Sequence, residues 1–260
     1  LATVVSQAGS AMASLIYAFK KVPYFNLSKA ELTPHKTIII NSFKLGVPIS
    51  LQNSLIAISC IVLQGVVNTF GETVMAAYTV TMRIEQLVQQ PFSSLGMALT
   101  SYAGQNFGAQ RIDRVKKGMH RATFMVLIFS LIMLPIFYIF GDKIIYCFVK
   151  EQDVISIGAK ALRITSLFYF FLGMIYAPRS LLNGCGDTAF SMINGITEVV
   201  CRISFSLLFT SIATISIFGH TYNIGYWGIW LTTGLTWFTT ALICFLRYKL
   251  GSWRKKMFAN

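Results

Sequence analysis

Long apolar runs are the feature that most constrains what this chain can fold into. A bilayer core about 30 Å thick needs about 20 mostly apolar residues for a helix to cross it. Seven such runs lie between charged or Gly/Pro-containing breaks, at residues 1–19, 46–68, 73–102, 122–141, 155–182, 189–218 and 225–247. Only 12% of the residues are charged, whereas soluble domains have about 25%. We therefore predict an all-α fold, a polytopic transmembrane helical bundle of about seven spans.

The basic residues are unevenly distributed among the predicted connections. Fifteen of the 22 Lys and Arg residues fall on one side of the bundle. They are Lys20, Lys21, Lys29, Lys36, Lys44, Arg111, Arg114, Lys116, Lys117, Arg121, Arg247, Lys249, Arg254, Lys255 and Lys256. The positive-inside rule makes this side cytoplasmic, so the C-terminus is expected inside and Leu1 outside. The net charge of +13 is thus assigned to membrane topology, with the lipid bilayer and not nucleic acid as the partner.

The third predicted span carries an acidic and amide-rich cluster at bilayer depth. Glu85 is followed by Gln86, Gln89 and Gln90 within about a turn and a half of helix. Arg83 is two positions away and does not face Glu85 across the helix. Each charged group at this depth costs about 2.5–3.5 kcal/mol in lipid, so the cluster must face protein or water. These four polar residues are candidate cavity or ion-facing positions.

The sixth predicted span contains Asn194, Glu198 and Arg202 at intervals of four residues. This spacing places the three side chains on one face of a helix. The carboxylate and the guanidinium have two interpretations, a cation-sensitive pair that lines a cavity and a structural ion pair. The structural interpretation is favoured, and the three residues remain cavity candidates.

Neutral amides in the second predicted span complete the set of candidates. Gln52, Asn53 and Gln64 could line a cavity or bond to neighbouring helices, which is the commoner use of such residues. Proline inside a helix removes a backbone hydrogen bond and favours a bend. The four positions at which helices are expected to flex are Pro48, Pro91, Gly173 and Pro178.

Several short motifs follow one another in a fixed order along residues 40–250. They are Gly46–Asn53, Ala76–Tyr78, Gly104–Ala109, Arg179–Thr188 and Gly225–Trp230, with Trp237 beyond the last. Each motif is weak alone. Their order and spacing together resemble the second half of the multidrug and toxic compound extrusion family of cation-coupled efflux transporters.

The resemblance implies two six-helix lobes with both termini cytoplasmic. On that plan residues 1–36 are the last helix of a first lobe, otherwise missing here, with the cytoplasmic interlobe loop, and residues 37–260 are the second lobe with a basic tail. It also implies a plasma-membrane antiporter that exports drug-like organic cations or other amphipathic compounds against inward proton or sodium flow. The two lobes would rock about a shared cavity, so these 260 residues alone are expected to be inactive.

The acidic residues depart from the pattern of the family branches that couple through the second lobe. Those branches have an acidic residue in helix seven and another in helix ten, but residues 46–70 and 154–186 contain neither Asp nor Glu here. The main coupling carboxylate is therefore expected in the first lobe. Glu85 and Glu198 are the acidic candidates at bilayer depth in this one.

Two other functions and the absence of enzyme motifs complete the prediction. A lipid-linked oligosaccharide flippase of the same superfamily is the alternative, although such cavities tend to carry more mid-span Arg and Lys. A seven-helix receptor is less favoured because no Asn-Pro-x-x-Tyr motif lies near the last span. No Cys-x-x-Cys pair, clustered histidine or nucleotide-binding glycine loop is present, so no enzyme, cofactor or metal site is expected.

Overall fold

The computed structural model describes residues 2–22, 33–211, 214–217, 220–251 and 253, without the side chains of residues 210–223. Most of the predicted loop from Lys20 to Lys36 and the basic tail at residues 254–256 lie outside these residues. The chain divides into two compact units, Leu1–Lys44 and Leu45–Asn260. This division falls inside a helix, and the predicted domains, 1–36 and 37–260, stay a prediction.

The described backbone is almost entirely helical. Its eight α-helices are α1 (Ala2–Lys21), α2 (Lys36–Asn68), α3 (Glu72–Gly108), α4 (Ile112–Tyr146), α5 (Gln152–Ser166), α6 (Tyr169–Gly184), α7 (Ala189–Ser211) and α8 (Gly228–Leu250). A short 3-10 helix, Gly225–Trp227, precedes α8. Two short strands, β1 (Thr214–Ile217) and β2 (His220–Asn223), pair antiparallel with Thr214 opposite Asn223.

Most of the helices have the length and composition of membrane spans. Among the described residues, α1, α2, α4, α7 and α8 are long and apolar enough to cross a bilayer, and α5 with α6 forms a sixth span if the bent pair counts as one. The helix α3 has 37 residues but is not apolar enough by the same measure. The predicted helical membrane bundle is confirmed, and its third span is the polar one.

The predicted fifth span, residues 155–182, is wrong as a single helix. α5 and α6 meet at Leu167 and Phe168 with a bend of 50°. A Cβ added at Gly234 of α8 would lie 2.4 Å from the ring of Phe168, so the ring at the break is packed directly on α8. All four predicted flex points lie inside continuous helices: Pro48 in α2, Pro91 in α3, and Gly173 and Pro178 in α6. Their flexing stays a prediction.

Two other predicted boundaries differ from the structure. The sixth span was expected to run to residue 218, but α7 ends at Ser211 and strand β1 follows. The strand is rich in β-branched residues, with Thr214, Ile215 and Ile217, which favour extended backbone over helix. The second helix begins at Lys36, ten residues before the predicted span.

The most extensive contact between helices joins α3 to α6. A Cβ added at Gly184 would lie 2.4 Å from the carbonyl oxygen of Thr100 and 3.1 Å from the backbone nitrogen of Gly104. The hydroxyl of Thr100 donates a hydrogen bond of 3.0 Å to the carbonyl oxygen of Ser180. Small residues allow two backbones to approach this closely. The contact fixes which face of α6 is turned towards α3.

Candidate functional site

A polar cavity of about 390 Å³ lies within the second unit, among α2, α3, α6, α7 and α8. Its polar lining residues are Asn53, Tyr78, Glu85, Gln86, Gln89, Ser93, Tyr176, Arg179, Glu198, Arg202 and Thr233. Its other lining residues are Ile56, Cys60, Met82, Leu172, Ile175 and Trp237. Every helix contributes residues three or four positions apart, so each presents one stripe to the cavity.

The stripe on α3 is the longest of the five. Tyr78, Glu85, Gln89 and Ser93 follow one another at intervals of seven, four and four residues, which keeps them on one helix face. The opposite face carries exposed apolar residues such as Leu87, which is 65% exposed. The helix therefore has an exposed apolar face and a polar face that is directed into the bundle, as expected for a membrane helix with polar residues at bilayer depth.

Glu85 is nearly fully buried beside the break between α5 and α6. The residue is 8% exposed, and its Oε1 atom has no hydrogen-bond partner among the described residues. Thr165 and Tyr169, which flank the break, both lie close enough to interact with this carboxylate. The hydroxyl of Tyr169 is also buried, and no other described residue forms a hydrogen bond with it. Glu85 and Tyr169 thus each place at bilayer depth a buried oxygen atom that could accept a further hydrogen bond or contact an ion.

Glu198 and Arg202 form a buried ion pair on α7. The Nη2 atom of Arg202 donates to Oε1 of Glu198 at 2.8 Å, and both side chains are 7% exposed. Both residues line the same cavity as the polar face of α3.

The other end of the cavity contains an aromatic and cationic group. The hydroxyl of Tyr176 donates to Oε1 of Gln89 at 3.3 Å. The guanidinium of Arg179 lies 4.9 Å from the centre of the Tyr176 ring. This distance is within the range of a cation–π contact. Glu85 and Gln89 are one turn apart on α3, so the cavity runs from a buried carboxylate towards a guanidinium.

Six of the ten cavity residues predicted from sequence line this cavity. They are Asn53, Glu85, Gln86, Gln89, Glu198 and Arg202. The structure brings them together from three helices that are far apart in sequence. Their contact with a substrate or an ion stays a prediction.

The other four predicted residues are not part of the cavity lining. Gln52 is 2% exposed and packs against Gly195. A Cβ added at Gly195 would lie 3.0 Å from the Cα of Gln52. Asn194 is fully buried and accepts a hydrogen bond from the thiol of Cys244. Gln64 donates to Asn68 at 2.9 Å. Gln90 is exposed.

Several lining residues are not among the residues predicted from sequence, notably Tyr78, Arg179 and Thr233. Tyr78 lies seven residues before Glu85, so extension of the polar stripe by two turns would have found it. Arg179 is an arginine within a predicted span, which is itself a functional signal. Thr233 has no such signal, because threonine in an apolar helix usually bonds to its own backbone, as this one does to the carbonyl oxygen of Ile229.

Helices of membrane-spanning length around a polar, charged cavity define a polytopic membrane protein. The model of the MatE family matches residues 48–208, more than half of the chain. The chain therefore belongs to this family, the multidrug and toxic compound extrusion family that its motifs indicated.

Two proteins of Bacillus subtilis are similar to nearly the whole chain. The chain is 24% identical over 258 residues to the probable multidrug resistance protein YoeA of Bacillus subtilis. This alignment covers 98% of this chain and 54% of that protein. It is 26% identical over 254 residues to the probable multidrug resistance protein YpnP of the same organism. That alignment covers 97% of this chain and 54% of YpnP. The chain spans about half the length of the curated relatives that it matches.

Solved structures share the fold. A MATE protein in the straight conformation superposes with a TM-score of 0.82 at 22% identity, over 94% of this chain and 55% of that chain. A transporter from Pyrococcus furiosus, described as having a binding pocket of reverse polarity that suggests a different function, superposes with a TM-score of 0.81 at 19% identity, over 96% and 54%. The order of helices α1 to α8 is thus that of part of a MATE fold.

Proposed function

We propose that this chain forms one lobe of a secondary active exporter of the plasma membrane, with its C-terminus in the cytoplasm. The observation that carries the proposal is the polar cavity, with a buried carboxylate oxygen of Glu85 that has no hydrogen-bond partner in the described part of the chain. The names of the relatives, multidrug resistance proteins, support it. A second lobe of similar size would complete the substrate pathway, as in other carriers built from structural repeats.

Glu85 is the proposed site for the inward-moving ion, proton or sodium. Its carboxylate lies beside the break between α5 and α6, next to Thr165 and Tyr169. Broken helices in secondary transporters free backbone carbonyls that can coordinate an ion. A bound cation would neutralise a carboxylate that is otherwise costly at this depth. This assignment supplements the coupling carboxylate expected in the other lobe.

The proposed substrates are drug-like organic cations or other amphipathic compounds. Tyr78, Tyr176 and Trp237 present aromatic surface to the cavity, and aromatic faces attract cations and stack on flat molecules. The carboxylate of Glu85 adds a negative charge to the same space. A cation that competes with the coupling ion for this carboxylate would be exported in exchange for it.

The flippase alternative gains support from the cations in the cavity. Arg179 makes no ion pair with another described residue, and its guanidinium faces the cavity together with Arg202. An acidic substrate such as a lipid-linked pyrophosphate would suit Arg179. The similar structure from Pyrococcus furiosus is described as having a binding pocket of reverse polarity that suggests a different function, and this description supports keeping a second candidate here.

Replacement of Glu85 by Gln is the variant that tests the coupling role. We expect gradient-driven accumulation of a fluorescent organic cation in inside-out vesicles to fall about 5- to 150-fold, which corresponds to the usual coupling free energy between two ligands. Binding of the cation without a gradient should change less. Glu72→Gln on the same helix is the matched control, because Glu72 is exposed at the start of α3, and it should transport normally.

The imposed gradient distinguishes the functions. The two-lobed protein is tested with a proton gradient, with a sodium gradient, and with neither. Accumulation of the organic cation that depends on neither gradient would reject antiport. Movement of an acidic lipid-linked sugar in place of the cation would favour the flippase.

A further inference from the structure

A second cavity, of about 290 Å³, opens on the surface of the Leu45–Asn260 unit. Its floor is α6, where Phe170 and Phe171 meet edge to face at 5.6 Å between ring centres. One wall is α8, where Phe238 meets Phe171 at 4.9 Å. Leu242 on the same wall is 46% exposed. The other wall is α4, which contributes Thr123 to the lining. The groove is thus an aromatic trough between helices of membrane-spanning length.

Basic side chains lie at one end of this groove. The Nζ atom of Lys249 is 5.1 Å from the ring centre of Phe245, which lines the groove on α8. On α4, His120 and Lys116 precede the lining residue Thr123 by three and seven residues, so they share its helix face at roughly 4.5 and 10 Å along the axis. Lys116, His120 and Lys249 are all exposed. The mouth is therefore positively charged from both walls.

We propose that this groove binds an anionic phospholipid, with one acyl chain along the aromatic floor and the phosphate between Lys249 and Lys116. The apolar trough matches a hydrocarbon chain, and two of its walls belong to helices of membrane-spanning length. The charge at its mouth is opposite to that of a phosphate, and basic sites at the ends of membrane helices bind acidic headgroups. The site is separate from the polar cavity and does not depend on the proposed transport activity.

The test compares two lipids that differ only in headgroup. The purified protein is stripped of lipid and titrated with phosphatidylglycerol or phosphatidylcholine of the same acyl chains, and bound lipid is counted by native mass spectrometry. The Lys116→Gln/Lys249→Gln variant should bind phosphatidylglycerol about 25-fold more weakly, since each basic group contributes about fivefold in affinity. Its affinity for phosphatidylcholine, whose headgroup has no net charge, should fall much less. Leu242→Trp, which places an indole in the groove, should weaken both lipids.

The matched control removes the same charge from another face of α4. Arg114 and Arg121 are exposed and lie nine and two residues before Thr123, on the opposite side of the helix. Arg114→Gln/Arg121→Gln should keep the affinity for phosphatidylglycerol. Equal losses in both double variants would mean only diffuse attraction to the membrane and would overturn the proposal. Unchanged lipid binding by the Leu242→Trp variant would also overturn the proposal. A change in the oligomeric state of this variant without a change in lipid binding would mean that a second copy of the chain, and not a lipid, covers the groove.

Discussion

Replacing Arg202 by Met should lower the free energy of unfolding by about 3–5 kcal/mol, the usual cost of breaking a buried ion pair. The guanidinium is 2.8 Å from the carboxylate of Glu198. This carboxylate is buried, so removal of the cation leaves an unpaired negative charge in a low-dielectric site. Chemical unfolding of the purified protein in detergent measures the loss.

The double variant shows whether the pair acts as one unit. Glu198→Leu alone should also destabilise by about 3 kcal/mol, whereas Glu198→Leu/Arg202→Met should recover most of the loss, because apolar side chains replace a pair that was costly to desolvate. Asp142→Asn is the control, since the Asp142–Arg163 pair is largely exposed and should cost below about 1 kcal/mol. A double variant as unstable as the sum of its two single variants would contradict this account.

The sequence predicted the helical framework because apolar run length is a direct consequence of bilayer thickness. It did not predict the break at Leu167 and Phe168, since neither residue disfavours a helix. The bend was expected at Gly173 and Pro178, which α6 accommodates. At the break, the Phe168 ring packs against Gly234 of α8, a tertiary contact that no local pattern reveals.

The same limit explains which cavity residues were found. Helical spacing correctly grouped Glu85 with Gln86 and Gln89, and it placed Glu198 beside Arg202. Spacing shows which side chains share a face, but not where that face points. Gln64 is a neutral amide of the same span as Asn53, but it bonds to its neighbour Asn68 outside the cavity.

Gly184→Val is the second substitution with a large expected effect on stability. A Cβ at this position would lie 2.4 Å from the carbonyl oxygen of Thr100 and 3.0 Å from Cβ of Ala103. The first contact is with backbone, so rotation of a side chain cannot relieve it, and α3 must separate from α6. Overpacking of this kind costs about 1–3 kcal/mol, and occasionally more. We expect about 3 kcal/mol or more here, because two branches are added beyond the Cβ.

Gly65→Ala is the matched control for the effect of removing a helical glycine. No atom lies within 4 Å of a Cβ at Gly65, and alanine favours helix over glycine by about 1 kcal/mol. This variant should unfold at the same temperature as the original protein or slightly higher, while Gly184→Val should unfold well below both. Separation of α3 from α6 would also move Tyr176 away from Gln89, so the Gly184 variant should lose cation binding in the polar cavity. Equal unfolding temperatures for the two variants would mean that α3 and α6 are not held at this crossing.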